Sequence, residues 1–95
     1  MQFEKHHMVG QDYSWDKEGD SSFSGEPTRR LFDRFNGNQV LFIINFYGSL
    51  SGAFTLHDAR EVEQKILNHL PLDAKSEISV FNWINKAMLL EQPNN

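Results

Sequence analysis

Four acidic residues stand close together near the start of the chain: Asp12, Asp16, Glu18 and Asp20. Oxygens at alternate positions, with a glycine at the sixth, are what a calcium loop needs, because a hard cation gathers oxygen ligands around a sharp turn. Counted from Ser14, the ligand places read Ser14, Asp16, Glu18, Asp20 and Ser22, and Gly19 falls at the sixth. The pattern fails at its strongest ligands. Its first place is Ser rather than Asp, and its twelfth is Gly25, with Glu26 one residue late. Asp16, Glu18 and Asp20 therefore stand as a weak calcium candidate, and a solvated acidic loop is the preferred reading.

Other catalytic patterns fail sooner. Gly48-Ser49-Leu50-Ser51-Gly52 has Leu where a nucleophile elbow needs Ser, and it lacks the Gly-Lys-Ser/Thr ending of a phosphate loop. His57 and Glu61 are spaced i,i+4 and point to one face, but no third metal ligand is near in sequence. With no cysteine, thiolate chemistry, thiolate zinc sites and disulfides are excluded. No catalytic residue and no cofactor is assigned. An enzyme using Asp16, Glu18 or Asp20 with His57 remains a competing idea that requires the fold to bring them within hydrogen-bond reach.

The residues better suited to binding are Tyr13, Trp15, Arg29, Arg30 and Arg34. The three arginines interleave with Phe32 and Phe35 in RRLFDRF, the one basic patch of an acidic chain. Arginine and aromatic residues are enriched at protein interfaces, and the same pairing can stack on bases. An internal role competes, with the arginines paired to Asp12, Asp16, Asp20 or Asp33 and fastening the N-terminal segment to the core. Tyr13 and Trp15 divide the same way, between pinning that segment and forming a recognition platform.

These residues must be positioned by a small number of elements. The only long apolar run is at 38–50, NQVLFIINFYGSL. Read as a helix, it puts Asn38, Asn45 and Ser49 within about 20° of one line and leaves the rest apolar. Read as a strand over 39–47, it lines up Val40, Phe42, Ile44 and Phe46, and Asn36-Gly37 becomes a hairpin signal. Residues 29–35 do not alternate as a partner strand should, so the helix is preferred. Thr55-Leu56-His57-Asp58 is a capping-box pattern opening an amphipathic helix over 56–69, with Leu56, Ala59, Val62, Ile66 and Leu70 on the apolar side. Its wet side takes Arg60, Glu61, Glu63, Gln64 and Lys65, and Pro71 stops it. Ser76 is the expected cap of a third helix over 77–90, with Ile78, Phe81, Ile84 and Met88 as its apolar row. A short helical turn is expected from Pro27 to Phe35, its Leu31, Phe32 and Phe35 sharing a face.

The expected architecture is mostly α: a three-helix core within 27–91, an irregular arm over 1–26 and a frayed tail at 92–95, in one domain. If 39–47 is a strand, the class becomes α+β. Ninety-five residues with 39% hydrophobic content suit one small folded unit. The first residues show no apolar segment behind a basic start, and no run approaches the ~20 residues of a membrane span, so a cytoplasmic setting is expected. A net charge of −4 argues against a dedicated nucleic-acid binder, although an accessory role in a nucleic-acid complex would use the arginines. The function expected is protein–protein interaction or regulation, through a partner protein or a homo-oligomer.

Overall fold

Each helix begins at a side chain able to accept the orphan amides of its first turn. In the computed structural model, which describes residues 2–15 and 25–91, these helices are α1 (Gly37–Ser49), α2 (Leu56–His69) and α3 (Glu77–Glu91). Asn36 Oδ1 accepts from the amides of Asn38 and Gln39 at 3.1 and 3.4 Å. The Asn-Gly pair therefore starts a helix rather than turning a hairpin. Thr55 and Asp58 close the capping box at α2, Asp58 N–H donating to Thr55 Oγ1 and Thr55 N–H to Asp58 Oδ2. Ser76 Oγ accepts from Ser79 N–H at the start of α3. Residues 39–47 are helical, and the architecture is the expected three-helix core. Among the described residues the only β features are two isolated bridges, Ser14 with Asn36 and Leu31 with Ser76.

The three helices pack on one another around Val40, Ile43 and Ile44 of α1, Ala59, Val62 and Ile66 of α2, and Val80 and Ile84 of α3, all fully buried. Phe3 joins them from the arm. A helix that is apolar nearly all round needs cover on several sides. Here α2 and α3 cover the Val40–Ile44 side of α1, and the arm meets its polar stripe at Asn45. The Asn45 amide holds the Phe3 backbone at both ends, accepting from Phe3 N–H at 2.8 Å and donating to its carbonyl at 2.9 Å. After a single 3-10 turn at Lys5–His7 the arm reaches α2, then returns to the start of α1, where Ser14 N–H donates to the Phe35 carbonyl and Gly37 N–H to the Ser14 carbonyl.

Three expectations fail, each for a physical reason. Residues 27–35 form no helix. Residues 28–32 lie against the entry to α3, with Phe32 N–H donating to Lys75, Glu77 N–H to Arg30 and Ile78 N–H to Thr28, and 33–36 form a turn. Leu31 and Phe35 point outward and only Phe32 packs on the core. In α3 the buried row is Glu77, Val80 and Ile84, so Ile78 faces water. In α2 Glu63, assigned to the wet side, is fully buried. The tail at 92–95 and the acidic residues Asp16, Glu18 and Asp20 lie outside the described residues.

Candidate functional site

A charged side chain is buried only where donors replace the water it loses. Two glutamates meet that condition, and each fastens a non-helical segment to a helix. Glu63 of α2 accepts from Val9 N–H at 3.0 Å, Gly10 N–H at 2.9 Å and the Tyr13 hydroxyl at 2.7 Å. Arg60, one turn earlier, donates from Nε to the His7 carbonyl. Glu77, the first residue of α3, accepts from Thr28 N–H at 2.9 Å, Arg30 Nε at 2.7 Å and Gln39 Nε2 at 2.8 Å. Gln39, itself buried, also donates to the Leu31 carbonyl and accepts from Asp33 N–H. The Glu77 carboxylate and the Gln39 amide thus take up Thr28 N–H, the Leu31 carbonyl and Asp33 N–H, beside the backbone bonds to the entry of α3.

These surroundings set the protonation of the groups. Burial alone would raise the Glu77 carboxyl, but the donors Gln39, Thr28 and Arg30 together bring it below the usual 4.5. The Tyr13 phenol is pushed well upward, first by burial, then by its hydrogen bond to Glu63 and by that carboxylate's charge.

The residues singled out for binding divide accordingly. Tyr13 is held by Glu63 and meets Trp15 edge-on at 5.7 Å. Trp15 lies across Gly37, and Lys5 Nζ stands 4.7 Å from its ring. Both contact other parts of the fold, and Trp15 also lines an open groove. Among the described residues Arg30 pairs with Glu77 on α3, and two of the aspartates expected as partners, Asp16 and Asp20, lie outside the described residues. Arg29 is exposed, and Arg34 lies over the Phe35 ring at 5.3 Å. His57 and Glu61 approach to 3.8 Å on the surface, and the described residues contain no group of three metal-ligating side chains.

The chain matches no protein-family model, no curated protein and no solved structure. Its surface must therefore be read on its own terms. One groove, of about 670 Å³, runs between the arm and α1 and is lined by Phe3, Trp15, Leu41, Phe42 and Phe46. Its rim includes Trp15 and Gly25, the two residues that flank 16–24. A second groove, of about 420 Å³, lies between the 31–35 segment and the turn after α2. There Leu31 is 76% exposed, Phe35 47% and Leu72 91%. Leaving a large aliphatic side chain in water forgoes roughly 1.5–3 kcal/mol. Leu31, Phe35 and Leu72 are therefore three large apolar side chains left in water around one groove.

The sequence reading missed Glu63, Glu77, Gln39 and Asn45 as organisers, although the signal was present for the glutamates. At 100° per residue Glu63 lies about 40° from Ala59, between Leu70 and Leu56 on the apolar side, and Glu77 lies within the arc of Val80, Ile84 and Met88. A carboxylate inside an apolar arc indicates a buried acceptor waiting for donors.

Proposed function

We propose that the protein is a small interaction module that docks another protein on the Leu31–Phe35–Leu72 face. A cytoplasmic setting belongs to the same proposal. The observation that carries the reading is the exposure of these three side chains on backbone that is otherwise firmly held. Phe32 is bonded to Lys75 across the groove, Leu31 is bonded to Gln39, and the preceding turn is fixed by Glu77. A held apolar surface loses little conformational freedom on binding, which favours affinity. Arg34, stacked on Phe35, adds a residue type enriched at interfaces. Of the five residues read from sequence, Arg34 is the one that lines this face.

The reading is tested by placing a photo-crosslinking amino acid at position 72 and, separately, at position 57. His57 and Leu72 lie at opposite ends of α2, roughly 20 Å apart, and both are well exposed. A discrete protein adduct from position 72, and none from position 57, is the expected result. Equal adducts from both positions, or none from position 72, would remove the proposal.

A further inference from the structure

Asn36-Gly37 is the one Asn-Gly pair in the chain, and such a pair carries a reaction that needs only water. The glycine nitrogen can attack the asparagine Cγ, because glycine has no Cβ to stand in the way. A bond forms between that nitrogen and Cγ, the Cγ–Nδ2 bond breaks, and ammonia leaves with the proton given up by the glycine N–H. Water then opens the resulting ring at either carbonyl, leaving aspartate or isoaspartate. We propose that Asn36 is a deamidation site of this kind and that the docked arm holds it inert.

Ring closure needs a free glycine nitrogen and an asparagine side chain free to turn toward it. The fold engages both. Gly37 N–H donates to the Ser14 carbonyl at 3.1 Å, and the Trp15 ring lies across the buried Gly37. Asn36 Oδ1 accepts from the Asn38 and Gln39 amides, and Asn36 N–H donates to the Asp33 carbonyl at 2.9 Å. Ser14 and Trp15 belong to the arm, which is fastened further back at Asn45 and Glu63. The reaction therefore passes through an opening in which the arm leaves the start of α1, and its rate follows the population of that opening. The two products differ in consequence. Aspartate caps a helix as well as asparagine does. Isoaspartate puts one more carbon into the main chain ahead of Gly37, which moves that amide off the Ser14 carbonyl and makes a passing release of the arm permanent.

The test follows position 36 of the full chain by peptide mapping and mass spectrometry at mildly alkaline pH, with isoaspartate separated from aspartate. Folded wild type is expected to react at least about tenfold more slowly than the same chain unfolded in urea. Trp15→Ala and Glu63→Ala loosen the arm at different places. Each should speed the reaction by about threefold to tenfold while circular dichroism remains helical, and Gly52→Ala should leave the rate unchanged. Folded wild type reacting as fast as the unfolded chain would overturn the proposal, and so would folded variants that react no faster. If Trp15→Ala does not fold, Glu63→Ala, which touches neither residue of the pair, carries the comparison. If neither folds, wild type in low urea replaces them: deamidation should then climb in step with hydrogen exchange of the Gly37 amide, and a rate that ignores that exchange contradicts the proposal.

Discussion

Glu77 shows how one side chain decides the course of a segment. Its carboxylate gathers Thr28, Arg30 and Gln39, and Gln39 in turn holds Leu31 and Asp33. Replacing it by alanine leaves the buried Gln39 amide and the Arg30 guanidinium short of an acceptor. Glu77→Ala should therefore cost about 2–4 kcal/mol in urea unfolding, at the lower end because the Arg30 side chain is 36% exposed. The pH dependence has a definite sign. The folded Glu77 carboxyl lies below the usual 4.5, so its contribution is fully present above that pH and is lost as pH falls through the lowered value. Comparing wild type with Glu77→Gln across acid pH should show a flatter stability profile in the variant. The phenols behave in the opposite direction. Tyr13 and Tyr47, the only tyrosines in the chain, are both raised above 10, Tyr47 by burial and then by the charge of Asp58. Their contribution is whole below about pH 10 and declines as pH rises beyond it. In a Tyr47→Phe variant, which leaves Tyr13 as the only phenol, tyrosinate absorbance should stay absent until alkaline unfolding begins. An ordinary tyrosine titration in the folded state would contradict this.

At the scale of elements, legibility followed how many independent signals agreed. In α2 the capping box, the apolar period and Pro71 all point to one helix, and its bounds are those expected. The run that became α1 is β-rich in composition and apolar on nearly every side, so its period discriminates weakly. What settles it is Asn36 as a cap and the cover that α2, α3 and the arm supply, and the arm's part in that cover is a tertiary fact absent from local pattern. Residues 27–35 were misread because their hydrogen-bond partners sit at Gln39, Lys75, Glu77 and Ile78, beyond the segment. Glu63 is placed on the wet side of α2 by its charge alone and Glu77 is given no side, so neither glutamate that organises the fold is legible from residue type. Gly37 gives this scale its own test. A Cβ there would stand 2.4 Å from the Trp15 ring, while one at Gly52 would meet nothing within 4 Å. Alanine raises helix propensity by up to ~1 kcal/mol, but at the first residue of α1 a rigid indole must move. Gly37→Ala should destabilise by about 1–3 kcal/mol and change Trp15 fluorescence, whereas Gly52→Ala should do neither. A stabilised Gly37→Ala protein would show that Trp15 does not rest on the helix start.

For the whole molecule, the account joins three apolar helices to two polar attachments. The helices supply the core, Glu63 and Asn45 bind the arm, and Glu77 with Gln39 binds the 28–33 segment. Together they leave Leu31, Phe35 and Leu72 exposed on backbone that is held still, and this is why an interface is the function proposed. The described residues contain no helix long and apolar enough to cross a membrane, so that face is not part of a spanning segment. The most direct measurement is amide hydrogen exchange read residue by residue. The N–H groups of Phe3, Val9, Gly10 and Thr28 belong to no helix, and they bond to side chains of Asn45, Glu63 and Glu77. They should be protected by at least about a hundredfold over an unstructured chain, and Glu63→Ala should release Val9 and Gly10 while leaving Thr28 protected. If these four amides exchange as freely in the native protein as in a random coil, the arm and the segment are not held, and the account is wrong.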